Sequence, residues 1–260
     1  MGNVHIHQHI DLKDPVLLAA WPGISNVGLE AATYLRNKLE ATELAAVDPV
    51  EFFTPLGILV HNNVVQFPMF PENKFYLART PEGKSDLVIF IGEAQPDHNQ
   101  YDLAHTIIDV AKNFKVKRVY TCAAAIVQHI AERARVWAAV TDASLTKELQ
   151  KYKIVLRGDF QIRGLNGLLL GAARERGMEG VCLLGETPHY AAEMSNPIAS
   201  YAVLGVLTEM LGIEIDLSDI AKEAEQMAET MKALSQEVMD KYIGHFTEPL
   251  WERNPDEEDE

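Results

Sequence analysis

The chain has 260 residues, 47% of them hydrophobic and 23% charged, with a formal net charge of -15. That length and balance allow one large domain with a sizeable core. The acidic surplus excludes nucleic acid and anionic membrane as partners, because phosphate binding needs a basic surface, and no apolar run approaches the ~20 residues of a membrane span.

The two cysteines, Cys122 and Cys182, lie in apolar runs without a C-x-x-C. They read as buried thiols of a reducing compartment. With no basic start and apolar core at residues 1–5, a cytoplasmic protein is expected.

In chain order, Val4, Ile6 and Ile10 alternate with histidines as in an opening strand. Val16–Ala20 is a second strand. Pro22, Gly23, Ser25 and Asn26 then turn the chain into a helix over 27–39, with Ala31, Leu35 and Leu39 on one face. Residues 42–81 read differently. Short β-prone pieces at 44–47, 51–53, 57–60 and 75–78 are broken by Pro49, Pro55, Pro68 and Pro71, with a turn at Asn62-Asn63. This β-rich segment is expected to form an antiparallel edge, packed on the main sheet or on another subunit. Strands at 87–91, 118–125 and 136–140 alternate with helices at 102–114 and 144–152.

Residues 164–190 hold the most regular unit. Leu165, Leu168, Leu169, Ala172 and Ala173 recur at helical spacing, and Gly177 stops that helix. Val181–Leu184 is a strand covered on both faces. Gly185–Tyr190 then reads as a polar loop at the strand's end, where open α/β sheets bind ligands. Pro197 opens a helix that Gly212 ends at Leu211. Alternating strands and helices imply an α/β fold with a mostly parallel sheet covered on both faces.

Asp216 caps a last helix, about 217–243. Leu217, Ile220, Ala224, Met227, Met231, Leu234 and Val238 step by three and four, a narrow seam suited to packing on another helix of the same chain or of a partner. The domain reading is therefore a core at 1–215, a C-terminal helix at 216–245 and an acidic, solvated tail at 246–260.

Few motifs carry chemistry. Gly23-Ile24-Ser25-Asn26-Val27-Gly28 has the glycine spacing of a phosphate loop, but Leu29-Glu30 replaces the Lys-Ser/Thr such a loop needs. It reads as an anion site at a helix start or as a tight structural turn. His5, His7 and His9 repeat every two residues on one strand face, a geometry able to bind zinc or nickel. Free terminal histidines are the plainer reading, so no metal and no cofactor is assigned. Glu93 and Glu186 each follow a strand and a glycine. They can serve acid/base or metal chemistry, or cap neighbouring backbone N–H groups. Ser195 and His189 lack the grammar of a catalytic triad, and no catalytic residue is named.

Residues 21–28 (Trp-Pro-Gly through Asn-Val-Gly), 92–96 (Gly-Glu-Ala-Gln-Pro) and the whole 164–188 unit together resemble the PAC2 (proteasome assembly chaperone 2) family, over about 14–243. The resemblance implies a three-layer αβα sandwich similar to nucleoside phosphorylases, built into homo-oligomers such as trimers or tetramers. It also implies protein partners, with proteasome α subunits among them. Archaeal relatives can dock by a C-terminal hydrophobic–Tyr–any ending. This chain ends Glu258-Asp259-Glu260, so tail docking is not carried across. The same fold implies a crevice around a candidate ligand patch of Asn26, Gly28, Glu93, Gln95, Asn166, Glu186 and Thr187. The expected function is a non-catalytic, chaperone-like interaction factor. The alternative is a binder or enzyme for a nucleoside, nucleotide or carboxylate.

Overall fold

The computed structural model describes residues 3–7, 10–80, 84–128, 133–156 and 158–247, the side chains as far as Lys232. His9, the side chains of Leu234 and Val238, and the acidic run 256–260 lie outside the described residues.

The main sheet takes β1 (Val4–Ile6), β2 (Val16–Ala20) and β3 (Thr42–Val47), while β4 (Gly57–His61) and β5 (Val64–Met69) form a separate hairpin. β6 (Asn73–Ala78), β7 (Leu87–Gly92), β8 (Arg118–Val127), β9 (Val136–Val140), β10 (Ile154–Val155) and β11 (Glu179–Pro188) complete the main sheet. The order across it is β1-β3-β6-β7-β2-β8-β11-β9-β10.

Its centre, β7-β2-β8-β11, is parallel. The β1-β3-β6 flank joins antiparallel. On the other side β9 runs antiparallel to β11, with β10 parallel beyond it. The sheet is therefore parallel at its heart and mixed at its margins. Part of the β-rich segment, β3 and β6, is built directly into it.

Helices α1 (Val27–Lys38), α3 (Ser144–Leu149), α5 (Pro197–Leu211) and α6 (Ser218–Thr247) lie on one face, and α2 (Gln100–Asn113) and α4 (Leu165–Glu175) on the other. Strand alternation explains the division. Leu17, Ala19 and Trp21 point to the α2–α4 side, whereas Val16, Leu18 and Ala20 point to the α1–α5 side. β2 and β7 are apolar throughout because they have no solvent face.

Local chemistry sets the ends. Asn196 Oδ1 accepts from Ala199 N at 3.2 Å, Pro197 opens α5, and Gly212 at φ +63° closes it. Asp216 Oδ1 accepts from Ser218 N at 2.9 Å at the start of α6. Two sequence expectations change. Residues 49–51 form a 3-10 turn rather than a strand at 51–53, because Asp48 Oδ1 takes Val50 N at 3.1 Å and Pro49 cannot donate to a ladder. Phe52 and Phe53 drop from that turn into the core. The polar loop expected at 185–190 begins late. Gly185–Pro188 continue β11, paired with Ala124–Val127 of β8. A carboxylate is tolerated inside that strand because it is fully paired, as shown next.

Candidate functional site

A crevice of about 830 Å³ opens at the carboxyl ends of β2 and β8, beside Leu184 of β11. The chain leaves β2 for α1 on one face and leaves β7 for α2 on the other, which is where open sheets part to make a cleft. Ala123, Ala124 and Ala125, small residues of the second half of β8, form its floor. Trp137 and Phe160 form a wall, packed edge to face at 6.4 Å and 87°.

Three of the sequence candidates line this crevice: Gly28, Gln95 and Asn166. Gln95 is a brace. Its Nε2 donates to Pro22 O at 2.7 Å and its Oε1 accepts from Leu165 N at 3.1 Å, tying the turn after β2 to the start of α4. Asn166 is 4% exposed, and its Oδ1 is buried without a hydrogen-bond partner among the described residues. Gly28 serves packing. A Cβ there would lie 2.1 Å from Cys122 O, so only glycine lets α1 approach β8 so closely.

The other candidates are spent elsewhere. Glu186 is 0% exposed. Its Oε1 accepts from Arg135 Nε and Trp137 Nε1, both at 2.9 Å, and from Arg135 Nη2 at 2.8 Å, while its Oε2 takes Arg135 N at 3.2 Å. Burial pushes this carboxyl up, but the hydrogen bonds from Arg135 and Trp137 outweigh it and hold the group below its ordinary value. Glu186 thus positions the wall residue Trp137 from behind. Thr187 Oγ1 accepts from Asn196 Nδ2 at 3.1 Å. Glu93 faces a different depression, shared with Arg36 and Lys74, and its Oε2 accepts from Glu72 N at 2.8 Å. Both strand-end carboxylates therefore hold backbone N–H groups, and they do not meet as an acid/base pair.

The glycine turn after β2 is likewise occupied by structure. Ser25 N donates to Ala192 O at 3.0 Å and Ser25 Oγ to Ala191 O at 3.0 Å. Asn26, exposed at φ +51°, lies outside the crevice lining. His7 Nε2 sits 3.1 Å from Glu43 Oε1. Among the described residues no group of three or more His, Cys, Asp or Glu side chains is placed to hold a metal. Burial raises the Cys122 thiol well above its ordinary value and pushes Cys182 up to about 12, so neither is a reactive thiolate.

The β4–β5 hairpin carries the expected strand at 57–60 and turn at Asn62-Asn63, and what sequence reading left undrawn is its second strand and its exposure. Asn62 and Asn63, at φ +49° and +61°, make the tight turn that suits a two-residue hairpin. Among the described residues the two strands pair only with each other. Leu56, Ile58, Leu59, Val60, Val64, Val65, Phe67 and Met69 are all large, apolar and exposed, Phe67 at 90%. A legible signal was there: 56–70 contains no Asp, Glu, Lys or Arg.

The α6 seam is used within the chain along its first turns. Ile220, Ala224 and Met231 are buried, and Ile220 joins the α1–α5 core. Lys38 Nζ reaches Asp219 Oδ2 at 2.6 Å and Tyr34 OH donates to Asp216 O at 2.8 Å, pinning α6 to α1.

This architecture can be set beside known proteins. A model of the PAC2 family matches residues 17–235. The chain belongs to the PAC2 family. Uncharacterized protein MJ1210 of Methanocaldococcus jannaschii is 30% identical over 234 residues, 88% of this chain and 87% of that one. Among solved structures, Pyrococcus furiosus PbaB, an archaeal proteasome activator, is 28% identical with a TM-score of 0.76, covering 90% of this chain and 98% of that one. Mycobacterium tuberculosis Rv2125, a proteasome-assembly chaperone homologue, shares the fold at 19% identity and a TM-score of 0.70, covering 84% and 94%. The PAC2 match includes the crevice, the hairpin and α6 as far as residue 235. No helix of this PAC2 chain is long and apolar enough, among the described residues, to cross a membrane.

Proposed function

We propose that this PAC2 chain is a non-catalytic, homo-oligomeric interaction factor, a trimer or tetramer, that acts on the proteasome. The observation that carries the reading is the bare apolar hairpin. Monomeric proteins rarely expose contiguous apolar patches beyond a few hundred Å². Eight large side chains here approach the ~800 Å² per partner of a standard interface. The strand-end carboxylates support the non-catalytic half, since both are engaged in holding the fold. The proteasome half rests on the likeness to PbaB.

Light scattering on the purified protein tests self-association, with a mass of three or four chains expected. A tagged chain should also retrieve proteasome subunits from its own host's lysate, in fixed ratio and at both low and high salt. A single-chain mass rejects the first half. Recovery of the bait alone rejects the second.

A further inference from the structure

We propose that the β4–β5 hairpin of one copy inserts into the crevice of the next, so that copies join head to tail. The inference deepens the self-association reading and rests on it. It names the surface that receives the arm.

The first argument is that the arm is bare on both sides. Successive strand residues point to opposite faces. Ile58, Leu59 and Val60 follow one another and are 59%, 55% and 59% exposed. A second ribbon laid flat against the arm covers one face and leaves the other in water. A cleft covers both.

The second argument is the nature of the cleft. About 830 Å³ holds several side chains, and the alanine floor leaves room for large ones such as Phe67. The rim carries Ile24, Ile126 and Phe160, at 45%, 43% and 46% exposure, apolar groups with no cover of their own.

Charge supplies the third argument. At a net charge of -15, two copies repel across most approaches. The segment 56–70 has no Asp, Glu, Lys or Arg, and 123–127 has none either. The charged rim residues, Asp159 and Arg163, are of opposite sign. Arm into crevice is therefore an approach on which the repulsion is relieved.

Arm and crevice are different patches of one surface, so the joint is heterologous, and such joints generate closed rings when the rotation closes. That geometry fits the trimer or tetramer proposed above without a second interface.

Mixing two variants tests this. Phe67→Asp disables the arm and leaves the crevice intact. Ile126→Asp with Phe160→Asp disables the rim and leaves the arm intact. All three side chains are at least partly exposed, so the variants should fold with the wild type's circular dichroism spectrum, melting lower only by what assembly adds. Each variant alone should give a single-chain mass by light scattering. Mixed one to one, they should give a two-chain mass, because one sound arm then meets one sound crevice. As a check independent of charge, Phe67→Cys mixed with Phe160→Cys should form a cross-linked dimer with a short bismaleimide, while each alone should not. The inference falls if the rim variant keeps the wild-type mass, or if the mixture stays monomeric. The first result leaves self-association standing through arm-to-arm contact, and the second leaves it to another surface that both sets of substitutions disturb. A monomeric wild type removes both.

Discussion

Two sets of strands in this molecule share a composition and differ in fate. β2 and β7 read Val-Leu-Leu-Ala-Ala and Leu-Val-Ile-Phe-Ile-Gly and are buried throughout. β4 and β5 read Gly-Ile-Leu-Val-His and Val-Val-Gln-Phe-Pro-Met and are almost wholly exposed. Apolar strand sequence states that a surface must leave water. It does not state what will cover it. For β2 and β7 the cover is this chain's own helices. For the arm, nothing among the described residues supplies it.

Breaking the covered region should cost stability, and breaking the bare one should not. The largest loss is expected from Gly28→Ala, whose Cβ would meet Cys122 O at 2.1 Å. Backbone cannot yield as a side chain does, so a destabilisation of about 3 kcal/mol or more is expected by denaturant unfolding. Glu186→Gln should cost about 2 kcal/mol at neutral pH, since it weakens a buried, charge-assisted set of hydrogen bonds. Its pH profile sharpens the point. The folded carboxyl titrates below its ordinary value of 4.5, so its contribution is full above that pH and is lost as pH falls through the folded value. Thermal melts from pH 7 to pH 3 should show this acid loss in the wild type and a shallower one in the variant.

Asn196→Ala removes the α5 cap and the partner of Thr187, and about 1 kcal/mol is expected in the same unfolding assay. At dilutions where the wild type is also a single chain, Phe67→Asp should change folding stability by less than about 0.5 kcal/mol, as exposed substitutions do, while at higher concentration it abolishes the oligomer and the stability that assembly adds. A large stability loss there would show that the arm packs on its own chain, and would erase the contrast.

The sequence was most legible where local chemistry and tertiary cover agree. Val16–Ala20, Val136–Val140 and the helix Pro197–Leu211 carry their own ends or continuous apolar runs, and the structure has them at those bounds. The ladder partners of β5 were hidden because Pro68 interrupts an otherwise clear strand. The 185–188 extension of β11 was hidden because a glutamate in a strand reads as solvent-facing until Arg135 and Trp137 are seen beside it. Those two residues are about fifty positions away, and no local pattern couples them. The candidate patch divided for the same reason. Gly28, Gln95 and Asn166 come to one crevice, while Glu93 turns to a backbone N–H elsewhere and Glu186 to Arg135 and Trp137 behind the crevice wall. Spacing located the strand ends well, but the direction of each side chain follows from neighbours remote in sequence.

One irregularity of the arm has a bearing on how such a chain stays in solution. The β4–β5 ladder slips register between Ile58 and Val60, and Pro68 stands within β5. A bulge bends a ribbon and a proline removes a donor, and both are devices that keep strand edges from recruiting further strands. An uncharged, aromatic-bearing ribbon without them would be a template for fibres. With them, stickiness is left to the side chains while the backbone refuses to propagate, so that any assembly built on the arm is steered to a counted form over an endless one.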